Sequence, residues 1–175
     1  MHHDAALLRV FASDKRAYGD NMTEIYQLEV ESPFGPISVT EQDGCIVAIG
    51  WKSPRISTTT PLLQRASDQL TEYFAGSTKQ FDLPLKPAGD AFQRNVCDAM
   101  LAIPYGETTT YGAIAKQLST SGQPVGNACG ANSIPIIIPC HRVLGANGLG
   151  GYSGNGGVER KIELLKLEGG FPYLL

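Results

Sequence analysis

The chain has 175 residues, with 42% hydrophobic and 18% charged side chains, which describes a folded globular protein with room for one domain or two small ones. No run of about 18 apolar residues occurs, so a membrane-spanning helix is excluded. Four cysteines without a CxxC spacing and only three histidines, two of them His2 and His3, argue against a structural zinc site and a secreted disulfide framework, and make the cytoplasm the expected compartment.

The net charge of −3 does not announce a nucleic-acid binder; residues 1–90 hold 8 basic and 12 acidic side chains, residues 91–175 hold 6 and 5, a small asymmetry that permits contact with DNA through the second half without arguing for it. Residues 1–21 read as a leader with a short helix at Ala5–Phe11, and Met22 stands as an alternative start. From Glu24 the pattern is strand-like. Tyr26, Leu28 and Val30 alternate, Ser32-Pro33-Phe34-Gly35 turns the chain, and Ile37–Val39 resumes it. Asp43-Gly44 signals a hairpin into Ile46–Ile49. Pro61 fits the first turn of a helix carrying Leu62, Leu63, Ala66, Leu70, Tyr73 and Phe74. Residues 22–80 therefore make a small α+β scaffold domain with nothing chemically active in it. The proline-rich stretch 81–89 reads as a linker.

Residues 90–175 form the second expected domain. Asp90 caps a helix with Phe92, Val96, Ala99 and Met100 on one side, broken at Ile103-Pro104-Tyr105-Gly106. Thr110 caps a helix from Tyr111 to Leu118. A turn at Ser119–Gly122 leads to a second helix over Gln123–Gly130, the layout of a helix-turn-helix, which many proteins that bind no DNA also share. The fold class is thus α+β: an N-terminal sheet with a helix, then a mainly helical part with a winged-helix-like helix-turn-helix. A last helix spans Val158–Leu167.

Between them lies Ile134-Pro135-Ile136-Ile137-Ile138-Pro139-Cys140-His141-Arg142-Val143. The uncharged β-branched run reads as a buried strand or extended segment, and its two prolines exclude a helix or an ordinary central strand. A thiol beside an imidazole is a candidate activated nucleophile. Taken alone, Cys140 reads first as a small buried hydrophobe, Tyr111 as a core or capping aromatic, Glu168 as a solvated helix end and Asn132 as a turn residue.

Asn132, Pro139-Cys140-His141-Arg142-Val143, Gly151-Tyr152-Ser153-Gly154 and Glu168-Gly169 together resemble the O6-alkylguanine-DNA alkyltransferases, the methylated-DNA–protein-cysteine methyltransferases. The resemblance is strong from Phe92 to Gly169 and weaker before. It implies irreversible, single-turnover transfer of an alkyl group from O6-alkylguanine in DNA, with O4-alkylthymine a further candidate, to Cys140. It further implies that His141 draws the thiol proton through a water, that Glu168 orients His141, that Asn132 ties the segment before the cysteine, and that Tyr111 hydrogen-bonds the leaving base. Val143, Tyr152, Ser153, Gln123, Gly126 and Arg142 are the expected substrate-binding residues. Neither cofactor nor metal is implied. The expected partner of a monomer is double-stranded DNA, entered from the minor groove with the damaged base flipped out.

Two departures stand out. Gln123 occupies the position where the family commonly has an arginine that intrudes into the duplex, and the preceding turn is shorter. The Tyr152–Gly157 loop is longer than the family pattern, which bears on pocket width. The rival readings are a relative that binds and marks lesions without transfer, a cysteine hydrolase using Cys140 and His141, and a helix-turn-helix regulator.

Overall fold

The computed structural model describes residues 24–169; the expected leader, its helix at Ala5–Phe11 and the alternative start at Met22 lie outside the described residues. Strands β1 (Ile25–Val30), β2 (Ile37–Gln42) and β3 (Cys45–Gly50) form an antiparallel meander. Asp43 and Gly44 both take positive φ, 52° and 72°, the backbone of a tight hairpin turn. Period-two alternation puts Leu28, Val39 and Ile49 in register across the sheet. Helix α1 (Pro61–Phe74) starts at Thr60, whose hydroxyl accepts from the Leu63 amide at 3.1 Å and also bonds the Glu41 carboxylate. Its stripe of Leu63, Ala66, Leu70 and Tyr73 is buried, and the helix packs on β1 and β2.

The chain itself occupies both edges of this sheet. On the β3 side, the Ile46 amide donates to the Pro84 carbonyl at 2.8 Å and the Lys86 amide to the Ile46 carbonyl at 2.9 Å, so the expected linker runs as a partial extra strand. On the β1 side, the Thr58 amide donates to the Gln27 carbonyl at 2.7 Å and the Glu29 amide to Ser57 Oγ at 3.3 Å.

Asp90 caps helix α2 (Ala91–Leu101) through the Gln93 amide at 2.9 Å. Strand β4 (Thr109–Thr110) leads directly into α3 (Tyr111–Gln117), with the Thr110 hydroxyl accepting from the Ala113 amide. After a turn in which Ser119 sits at φ 53°, α4 (Gly122–Gly130) packs against α3 as the helix-turn-helix pattern predicts. Gln93 Nε2 donates to the Ala128 carbonyl at 2.7 Å and fastens the end of α4 to α2. A second short strand, β5 (Val143–Leu144), pairs in parallel with β4, and so sets the start of α3 beside the residues that follow His141. Helix α5 (Gly157–Leu167) closes the fold. Among the described residues no helix is long and apolar enough to cross a membrane.

One expected element is different. Residues 134–138 are buried but not extended: Ile138 N returns to the Ile134 carbonyl at 2.9 Å, and Ile136 adopts φ 74°. A β-branched residue there costs roughly 1–3 kcal/mol of backbone strain, which persists only when the surroundings impose it. Asn132 is what imposes it, accepting from the Ile134 amide at 3.0 Å and donating to the Ile138 carbonyl at 2.8 Å.

Candidate active site

The clamped turn ends at Pro139, and Cys140–Arg142 form one 3₁₀ turn. Three residues per turn send successive side chains about 120° apart. Cys140 faces a cleft of about 560 Å³, His141 turns inward, and Arg142 turns to the far side. The cleft is lined on one side by Gln123, Gly126 and Cys129 of α4, and on the other by Tyr111, Tyr152 and Ser153.

His141 is fully buried, and its Nε2 lies 2.7 Å from Glu168 Oε1. An ionised carboxylate only accepts, so Nε2 carries the hydrogen and Nδ1, which has no partner among the described residues, carries the lone pair. The proton-accepting atom is thereby defined. Glu168 also accepts from Arg142 Nε at 2.8 Å, Arg142 Nη2 at 3.0 Å, the Tyr73 hydroxyl at 2.6 Å and the Gly106 amide at 3.3 Å. Burial pushes this carboxyl up, but the bonds from His141 and Arg142 outweigh it and hold it at about 2. Gly106 has no room for a side chain: a Cβ would stand 2.9 Å from the Glu168 carbonyl oxygen.

Burial raises the Cys140 thiol, opposed by the Asn132 side chain, the Lys161 ammonium and nearby backbone N–H groups. Burial lowers His141, opposed by Glu168. Both directions favour a neutral thiol and a neutral imidazole at rest. Cys129 shares the cleft, but burial, first of all, pushes its thiol up to about 12, which keeps it protonated.

Sequence reasoning set Arg142 among the substrate-binding residues. Its guanidinium is instead turned from the cleft, held between Glu168, the Ile103 carbonyl at 2.7 Å and the Tyr105 ring. The Val143 carbonyl accepts from Lys161 Nζ at 2.6 Å. Tyr111 donates to the Gly151 carbonyl at 3.3 Å, and burial pushes its hydroxyl up to about 12, so it stays a donor. The Tyr152 hydroxyl has no partner among the described residues. Gln123 Nε2 donates to Asn127 Oδ1 at 3.1 Å at the cleft mouth.

Lys161 and Tyr73 were not singled out from sequence. Lys161 also bonds the Leu149 carbonyl at 2.6 Å and the Gly151 carbonyl at 3.0 Å, and burial lowers it to about 8. Its signal was present: 161, 164, 165 and 168 lie on one helix face, so a lysine and a glutamate flank two leucines on the buried stripe. Tyr73 gave no such signal, because its position matches an ordinary core stripe.

Comparison with known proteins decides what this arrangement belongs to. A family model described as the DNA binding domain of 6-O-methylguanine DNA methyltransferase matches residues 91–170, and one described as its ribonuclease-like domain matches residues 25–87. The chain belongs to this methyltransferase family. A methylated-DNA–protein-cysteine methyltransferase of Methanosarcina acetivorans is 42% identical over 156 residues, covering 83% of this chain and 99% of that one. The Mycobacterium tuberculosis O6-methylguanine methyltransferase crystal structure superposes with a TM-score of 0.74 at 37% identity, covering 86% and 97% of the two chains. A crystal structure of OGT from the same organism in complex with DNA gives 0.73 at 40% identity, covering 82% and 92%. The family's α+β fold is the one described above.

Proposed function

We propose that the protein repairs DNA by moving the alkyl group of O6-alkylguanine onto Cys140, once per molecule. Relatives bearing the name methylated-DNA–protein-cysteine methyltransferase support the reaction. The observation that carries it for this chain is Cys140 facing a cleft built against α4, with the next residue, His141, bonded to Glu168. In the proposed step His141 Nδ1 accepts the thiol proton through a bridging water, and the sulfur attacks the alkyl carbon in line. The C–S bond forms as the C–O6 bond breaks, and the electron pair leaves on guanine. Tyr111 offers a hydrogen bond to the departing base; guanine takes a proton on nitrogen from solvent and the His141 imidazolium releases the thiol proton to solvent, which closes the balance. The Val143 carbonyl and the Ser153 amide read the guanine edge, Tyr152 walls the pocket, and Asn132 holds the turn that presents the cysteine.

Duplex DNA is the partner, approached through the minor groove by a monomer in the cytoplasm. In support, Gly122, Gly126 and Gly130 recur every four residues on α4, and a Cβ at any of them would meet only open space. Such a smooth face allows close backbone approach to a groove whose base readout is poor, which suits a search for lesions in any sequence. Residues 22–80 serve as scaffold, 81–89 as connector and 90–175 as the DNA-binding and transfer unit. The test is incubation with DNA carrying labelled O6-methylguanine. One equivalent of label on Cys140 is expected. DNA binding without label would support a lesion-marking protein instead, and label turnover beyond one equivalent would mean a different enzyme.

A further inference from the structure

The Glu168 carboxylate has two oxygens with unequal loads. Oε2 accepts from Arg142 Nε at 2.8 Å and from the Gly106 amide at 3.3 Å. Oε1, the oxygen bonded to His141, accepts from Arg142 Nη2 at 3.0 Å and from the Tyr73 hydroxyl at 2.6 Å as well. Tyr73 belongs to α1, 95 residues earlier in the chain, in the part of the molecule that sequence reasoning held to be scaffold.

Packing alone does not require this hydroxyl. The Tyr73 ring is fully buried among aromatic neighbours: Phe81 at 5.4 Å and Tyr105 at 6.1 Å between centroids. A phenylalanine would fill the same space without a polar atom to satisfy. The hydroxyl's contribution is therefore to Glu168. The more tightly Oε1 pulls on the Nε2 hydrogen of His141, the more basic Nδ1 becomes on the opposite side of the ring. Each additional donor on Oε1 draws charge away from that pull.

We infer that Tyr73 is a positioning residue for alkyl transfer: through Oε1 of Glu168 it restrains the basicity of His141, and so couples the N-terminal sheet-and-helix unit to the chemistry at Cys140. This rests on the alkyl-transfer reading. The charged and titratable groups around the His141–Glu168 pair are Tyr73 from α1, Tyr105 from the turn after α2, Cys140 and Arg142 from the 3₁₀ turn, and Lys161 from α5. Among these, Tyr73 is the neutral donor on Oε1. Removing its hydroxyl changes the hydrogen bonding of Glu168 without altering the formal charge of the site. Burial and the Glu168 charge both hold the phenol protonated, so it donates across the accessible pH range.

The test compares wild type with Tyr73→Phe by two readouts: the titration midpoint of His141, followed through its imidazole NMR signals in the free protein, and the pH profile of single-turnover label transfer from duplex DNA carrying O6-methylguanine. The midpoint is expected to rise by about half a unit in Tyr73→Phe, with the acid limb of transfer moving by the same amount; on that limb the rate then falls about threefold at a fixed pH. Leu63→Ala, buried near the start of the same helix and away from Tyr73, is the control for lost stability, and its midpoint and limb are expected to match wild type. An unchanged His141 midpoint in Tyr73→Phe overturns the inference, even if the variant is less stable or uniformly slower. Absence of label on the wild-type protein would instead sink the transfer reading, and the NMR titration separates the two failures.

Discussion

Lys161 donates its ammonium to the Val143 carbonyl at 2.6 Å, so a buried cation on α5 holds the first residue after the Cys-His-Arg turn. The same nitrogen gathers the Leu149 and Gly151 carbonyls, making one lysine the clasp of the loop that borders the cleft. Lys161→Met would leave three carbonyls without this donor. A loss of about 2–4 kcal/mol is expected in urea unfolding at pH 7. Because the folded group titrates at about 8, below its ordinary 10.5, the folded state binds fewer protons than the unfolded one between those values. Lys161 therefore makes wild-type stability rise with pH across that window, and the substitution should flatten the rise.

Glu168 acts in the same direction at the acid end. Its folded value of about 2 lies below the ordinary 4.5, so its contribution is fully present above pH 4.5 and is lost as pH falls through 2. The amount is about 3 kcal/mol. Glu168→Gln removes that acid dependence and leaves the Arg142 guanidinium buried without its counter-charge. A loss of about 3–5 kcal/mol at neutral pH is expected, measured by denaturant unfolding from pH 2 to 7.

Gly154 is predicted to govern cleft shape more than stability. A Cβ there would stand 2.3 Å from Tyr152 Cε1, so the ring must move. The clash is with the far part of one side chain at a cleft wall, and relief comes by swinging the ring. Gly154→Ala should lower the transfer rate about tenfold or more, since small misplacements at reacting centres have large rate effects. DNA binding and the unfolding midpoint should change little. A gel-shift titration run beside the label-transfer assay checks this.

Gln123 can hydrogen-bond an orphaned base but lacks the charge and stacking plane of arginine. Gln123→Arg should therefore speed transfer from duplex DNA while leaving single-stranded substrate nearly unchanged. Equal rates for wild type and variant on both substrates would contradict the assigned role. The variant's duplex affinity should also fall more steeply with salt, by about one phosphate contact.

Much of this architecture could be read from local signals, because local chemistry decides it. Thr60, Asp90 and Thr110 accept from amides three residues ahead, and each helix begins where its cap predicts. The Asp43-Gly44 hairpin follows from two residues that tolerate positive φ. The turn at 134–138 was hidden because its local preference is extended; Ile136 is held against that preference by Asn132. The resemblance set Arg142 among the substrate-binding residues, but the rotation of a 3₁₀ turn sends it away from the cleft that Cys140 faces. Tyr73 could not be found locally at all, since its partner lies in another element and only the folded chain brings them together.

The occupied sheet edges bear on self-association. An open edge offers unpaired amides and carbonyls on which a strand from another molecule can grow into an aggregate. Here residues 84–86 cover β3 and residues 57–58 cover β1, each by two hydrogen bonds. Peeling of either segment, well short of unfolding, is the event that would make the sheet adhesive. Proline at 84 and 87 stiffens the first cover, which leaves the Ser57-Thr58 loop as the weaker guard against fibril-like pairing.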